Sequence, residues 1–161
     1  MAKEADELQV INKLSDLVKY NSDAIRYGFE RRNMPGIIKG KVGTLSTLTA
    51  ENQIFVDQNT EIENYVTLDA SEGPIIIEKD VKILAQTTIR GPVFIGEGTT
   101  IREGSCIRST SIGPHCKIGG EVSCSIFNSY SNKAHDGFVG HSYIGSWVNL
   151  GAGTTMSNLK N

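Results

Sequence analysis

Isoleucine returns every sixth residue through the middle of this chain, at Ile77, Ile83, Ile89, Ile95, Ile101 and Ile107. After a one-residue slip the series resumes at Ile112 and Ile118, and it returns as Ile144, Leu150 and Met156. Four residues after most anchors stands something small or β-branched: Val81, Thr87, Val93, Thr99, Ser105, Cys116, Val148 and Thr154. Glycine often follows the anchor directly, as at Gly96, Gly113, Gly119, Gly145 and Gly151. A strict period of six excludes an α-helix, whose 3.6 residues per turn would scatter the isoleucines around the axis. A hairpin sheet would show period two with turn pairs such as Asn-Gly, which are missing here.

Period six is the signature of a parallel β-helix, in which short strands and turns wind coil upon coil. Each anchor stacks on its counterpart in the next coil, so the isoleucines form an interior column. The small residue four places on points inward near a tight corner, where bulk would overpack. Glycine after the anchor suits a turn with positive φ or a close backbone approach. Earlier coils are ragged, with Ile62 and Leu68 before a break at Ser71-Glu72-Gly73-Pro74, yet they share the register.

The segment before Ile37 follows a different rule. Leu8, Ile11, Leu14 (or Ser15) and Val18 fall three and four apart, which predicts a helical stripe from about Ala5. Asn21-Ser22 interrupts it, and Ser22 is placed to cap a second short helix carrying Ile25 and Phe29. Pro35-Gly36 ends the helical territory. The organisation predicted is a helical cap and linker over 1–36 and a β-helix over 37–161, the cap covering the open end of the stack.

With 161 residues and a net charge of −2, the chain has room for one domain and carries neither a nucleic-acid footprint nor a polybasic membrane patch. The charged start MAKEADELQV is no secretory signal, and no apolar run reaches membrane-spanning length. Cys106, Cys116 and Cys124 contain no CxxC pair and read as reduced, mostly buried small hydrophobes. These features together predict a cytoplasmic protein.

The densest glycines, the only tryptophan and two of the three histidines fall between Lys133 and Asn158, in KAHDGFVGHSYIGSWVNLGAGTTMSN. Lys133-Ala134-His135-Asp136-Gly137-Phe138-Val139-Gly140, then Tyr143-Ile144-Gly145 and Val148 through Thr154, resemble the acetyltransferase half of bifunctional N-acetylglucosamine-1-phosphate uridyltransferase. The stretch with Gly119-Gly120-Glu121 and the closing SNLKN is similar to a subgroup of sugar nucleotidyltransferases. The resemblance runs from about Ser71 to the end. It implies a left-handed β-helix and an acetyl-CoA-dependent transferase working as a homotrimer, with no metal.

By that resemblance His135 is the general base that takes a proton from a sugar amine attacking the thioester. Imidazole suits the task because its ordinary pKa lies near operating pH. Lys133 and Arg102 would meet the substrate phosphate, Phe138 takes the place of a sugar-contacting tyrosine, and Asn149 that of a sugar-binding asparagine. Ala152 and Thr154 would lie along the coenzyme and Asn158 near the acetyl group. Thr154 reads equally well as a repeat corner. His115, in Gly-Pro-His-Cys, reads as an ordinary turn residue, and His141 replaces an aspartate of the family. Arg90 and Arg108 share the repeat position of Arg102.

Three departures accompany the resemblance. Phe138 lacks the tyrosine hydroxyl, and a site built on that bond selects differently without it. The lysine expected about twelve residues before the base falls at Ser123 or Cys124. The family continues past Asn161 with further coils, and its glycine-rich pyrophosphorylase loop is absent here, so the chain reads as a stand-alone or truncated repeat domain. Three readings follow: an acyl-CoA-dependent transferase acting on an amino sugar or sugar 1-phosphate, a non-catalytic trimerisation or ligand-binding module, and a γ-carbonic-anhydrase-like zinc site built on the histidines.

Overall fold

A computed structural model describes residues 10–33 and 35–156. Three six-stranded parallel sheets form the faces of a prism, and each coil contributes one short strand to each face in turn. The first face runs from Lys41–Val42 to Asn132–Lys133, the second from Thr47–Thr49 to Phe138–Gly140, and the third from Ile54–Val56 to Tyr143–Ile144. The parallel β-helix that the sixfold period predicts is therefore the architecture of the chain.

The isoleucine column lies inside. On the first face Ile83, Ile101 and Ile118 pair in register. Ile89 and Ile107 do so on the second face, and Ile77, Ile95 and Ile112 on the third. All eight are fully buried, and burying one such side chain is worth about 1.5–3 kcal/mol.

Coil length varies, and this explains where the period slips. Thr67 pairs with Thr88, a coil of 21 residues, and Thr88 with Cys106, a coil of 18. Cys106 then pairs with Glu121 after only 15, and Glu121 with Phe138 after 17. The column does not stop at Ile118: it continues through Val122, Phe127, Lys133 and Val139 to Ile144. Shortened corners displace these anchors from the sixfold count without moving them off the interior.

The small corner residues have a second purpose beyond fitting the space. Thr87 Oγ1 donates to the Arg102 carbonyl at 2.9 Å, Thr99 Oγ1 to the Gly113 carbonyl at 2.9 Å and Ser131 Oγ to the Gly145 carbonyl at 2.6 Å. Each hydroxyl serves a carbonyl of the following coil at a bend, where the ladder leaves backbone acceptors over; the Arg102 carbonyl accepts from Ser105 Oγ at 2.6 Å as well. Of the cysteines only Cys116 is buried; Cys106 and Cys124 are half-buried, and all three are free. Burial pushes the Cys116 thiol up from its usual range.

The helical segment differs from the expectation in two ways. It is one continuous helix, α1, Leu14–Arg32, with no break at Ser22. The Asp16 carboxylate accepts from the Asn12 and Lys13 amides at its start, and Asn33 in the left-handed region ends it. The buried side is Asn21, Ile25 and Phe29, whereas Ile11 and Leu14 are 47% and 61% exposed. Leu8 and the expected start at Ala5 lie outside the described residues.

The helix caps a flank of the prism, across several coils of the third face, and not the open end of the stack expected from the sequence. Ile25 and Phe29 pack on Phe55, Ile76 and Phe94, the outward residues of the third face. One coil further the outward residue is Ser111, and there Asn21 meets it: Asn21 Oδ1 accepts from Ser111 Oγ at 2.7 Å. Asn21 Nδ2 donates to the Ser109 carbonyl at 3.4 Å. No described helix is long and apolar enough to cross a membrane.

Candidate active site

Four consecutive turns meet at the edge between the first and second faces and line a cleft of about 500 Å³. Arg102 and Glu103 come from one coil, Gly119 and Gly120 from the next, Ala134, His135 and Asp136 from the third, and Ala152 and Gly153 from the last described turn. The coils approach closely here because glycines stand at the points of contact. A Cβ on Gly119 would lie 2.7 Å from the Ala134 carbonyl, and one on Gly137, at φ +125°, would run into the Thr154 carbonyl. Gly120 is hemmed in likewise, by the Gly137 carbonyl at 2.8 Å.

His135 and Asp136 are exposed at this edge. Arg102 is also exposed and pairs with Glu103 at 2.8 Å; such a surface pair is worth about 0–1 kcal/mol, so the guanidinium is free to exchange partners. Its own backbone amide and then Arg102 hold the Glu103 carboxyl below its usual value. Arg90 and Arg108 share its repeat position but end strands of the second face, so they stand on the next edge of the prism. Only Arg102 reaches the cleft of His135.

Lys133 occupies an unexpected place. It is an anchor of the column, in register with Ile118, and is 1% exposed. Its ammonium donates to the Gly119 carbonyl at 2.6 Å and to the His135 carbonyl at 3.0 Å. Burial pulls its pKa below the ordinary lysine value, and the nearby Asp136 carboxylate works in the opposite direction. A phosphate in the cleft would meet this ammonium only from beneath the floor.

The remaining predicted residues spread around the prism. Phe138 is half-buried on the second face, and its ring lies over Gly140 at the far end of its strand. Asn149 is exposed on the first face, its Oδ1 accepting from Asn132 Nδ2 at 2.7 Å; the Asn132 Oδ1 is buried and unpartnered. Thr154 closes the turn from Gly151 with its backbone amide. Gly151, Ala152 and Gly153 are exposed and form a strip with almost no side chains. Asn158 lies outside the described residues.

The three histidines stand on three different edges. His115 is at the corner between the third and first faces, His135 between the first and second, and His141 between the second and third. His141 lines a separate hollow with Lys19 of α1 and Cys124. Among the described residues no group of three or more His, Cys, Asp or Glu is placed to hold a metal. His115 has φ +56° and begins a stacked ladder, its ring 5.1 Å from Tyr130, which in turn lies 4.5 Å from Trp147.

Glu103, Asp136 and the Gly119-Gly120 floor line the cleft although the sequence assigned them no part in the site; Asp136 and the glycine pair stood only as members of its motifs. Counting one coil back from His135 along the edge would have found the glycine pair.

No protein-family model matches the chain. Curated proteins do. The bifunctional protein GlmU of a Synechococcus species (strain JA-2-3B'a(2-13)) is 31% identical over 132 residues, covering 58% of this chain. That of Picosynechococcus (strain ATCC 27264) is 34% identical over 93 residues, and that of Azorhizobium caulinodans is 27% identical over 165, covering 96% of this chain. This chain is a left-handed hexapeptide-repeat β-helix domain related to GlmU. It spans 21%, 21% and 34% of the length of those three GlmU proteins. In this GlmU-related domain the Lys133–Thr154 motif is what carries the cleft edge, since Lys133, Ala134, His135, Asp136, Ala152 and Gly153 all belong to it.

Proposed function

We propose that the chain is an acyl-CoA-dependent transferase, using acetyl-CoA, that acts on an amino sugar or sugar 1-phosphate. The observation that carries this reading is the shared cleft: Arg102, His135 and Ala152, from three separate coils, line one edge. Similarity to GlmU, together with the resemblance of the Lys133–Thr154 motif to an acetyltransferase half, supplies the reaction class.

His135 is the general base. The substrate amine attacks the thioester carbonyl while the imidazole accepts the amine proton; the tetrahedral intermediate collapses, the C–S bond breaks as the amide forms, and the departing CoA thiolate takes the proton from the imidazolium. Arg102 is the cation for the substrate phosphate, exchanging Glu103 for it. The Gly151–Gly153 strip and Thr154 lie along the coenzyme, while Asn149 and Phe138 mark the approaches to the sugar.

Calorimetry with acetyl-CoA, followed by acetyl-transfer assays on glucosamine 1-phosphate and galactosamine 1-phosphate, tests the reading. His135→Ala should retain coenzyme binding and lose about 10²–10⁴ in kcat. An unchanged rate in that variant would remove His135 from the chemistry. A second reading, a non-catalytic trimerisation or ligand-binding module, draws on the engagement of Arg102 with Glu103 and on the inward ammonium of Lys133. Absence of acetyl-CoA binding favours that module.

A further inference from the structure

The base turn at His135 is held by a group that the reaction itself does not use. Strand pairing joins neighbouring coils through backbone amides, but at a corner the chain bends away and carbonyls turn out of the ladder. At several other corners a Thr or Ser hydroxyl fills that vacancy, as Thr87, Thr99 and Ser131 do. Beneath His135 the position is filled from the interior by a lysine that replaces an aliphatic anchor. Ile118 lies one coil below it in register.

The ammonium bonds two carbonyls on adjacent coils, Gly119 at 2.6 Å and His135 at 3.0 Å. It sits 2.9 Å from where a Cβ on Gly120 would stand, so glycine at 120 is what leaves it room. An aliphatic anchor would fill the same space with no buried charge, and burying a charge is costly unless it is well bonded. A charged group kept there in place of an isoleucine is an ammonium with work to do on those two carbonyls.

We infer that Lys133 is a positioning residue for His135: its buried ammonium clamps the His135 carbonyl to the Gly119 carbonyl and thereby fixes the turn that presents the imidazole to the cleft. The inference rests on the transferase reading for its catalytic consequence, though the clamp itself does not. An error of about 1 Å in placing a catalytic group lowers a rate by about 10²-fold. An apolar residue of similar length would keep the column packed while freeing the turn.

The test compares the full chain with Lys133→Met by NMR and kinetics. In the wild type, the Lys133 ammonium should exchange slowly with water and show couplings across hydrogen bonds to the Gly119 and His135 carbonyl carbons. In Lys133→Met the fold should persist with a melting temperature no lower than the wild type's, while the His135 ring signals and the amides of Ala134 to Gly137 shift. The value of kcat should then fall about tenfold to a hundredfold, with KM for acetyl-CoA unchanged. A folded variant with unmoved His135 signals overturns the inference, as does a wild-type ammonium exchanging as fast as surface lysines. Should the variant not fold, the wild-type exchange rate decides alone. A wild type that transfers no acetyl group would sink the transferase reading, and the His135 signals would still decide the clamp.

Discussion

At the scale of single residues, Lys133 carries a pH signature. Burial, the dominant influence on its pKa, lowers it from the ordinary value of 10.5, against the opposing pull of Asp136. Between the folded and unfolded pKa values the unfolded chain binds more protons, so stability rises with pH there. The destabilisation is fully present below the folded pKa and gone above the unfolded one. Denaturant unfolding of the wild type against Lys133→Met should therefore show the difference narrowing as pH climbs through the window just below 10.5, with a limiting slope of about 1.4 kcal/mol per pH unit. A difference that stays flat across that window would mean the lysine is not desolvated. The sequence pointed to His135 through the resemblance of the Lys133–Thr154 motif, and the structure sets that residue in the cleft edge. The direction of the Lys133 side chain was not legible. A lysine beside a candidate base reads as a phosphate ligand until coils of 15 and 17 residues place it in the column. Arg102 was separable from Arg90 and Arg108 only once the three edges were known.

At the scale of elements, α1 shows why a helix register is hard to read from apolar spacing alone. Leu8, Ile11, Leu14 and Val18 make the better stripe on paper, yet Ile11 and Leu14 are exposed, and the face that packs is Ile25 and Phe29 with an asparagine at its N-terminal end. The reason lies on the partner surface. The outward column of the third face is apolar at Phe55, Ile76 and Phe94 and turns polar at Ser111. A helix crossing those coils has to change chemistry along its length, and Ile25 and Phe29 give way to Asn21. The break expected at Asn21-Ser22 was a polar residue facing inward. Asn21→Ala should leave the Ser111 hydroxyl and the Ser109 carbonyl without their partner and destabilise by about 1–3 kcal/mol. Chemical denaturation with the midpoint and slope both followed checks it, and a loss below about 0.5 kcal/mol would mean that water replaces the amide. The repeat coils, by contrast, were legible because each strand is short and each anchor meets its own kind, so the local pattern and the tertiary contact carry the same information.

At the scale of the whole molecule, one prism does not enclose a site. The cleft of Arg102 and His135 runs along a convex edge, and its lining comes entirely from one side. Small-molecule sites typically bury most of their ligand in a concavity, which a single edge cannot do. A transferase site here therefore calls for an opposite wall from elsewhere, and a second prism laid along the same edge would supply it. Threefold packing gives every edge of this kind one neighbour and closes the assembly, whereas a twofold arrangement would pair like edges and set His135 against His135. Exposed aromatics along the adjoining corner, Tyr130 and the 77%-exposed Trp147, are well placed to be covered in the same step. Light scattering should give about three times the 17.5 kDa chain mass, constant across dilution, and Trp147 fluorescence should shift to the blue relative to a dissociated form. A monomer at working concentration would sink the trimer and, with it, any transferase mechanism that needs a second wall.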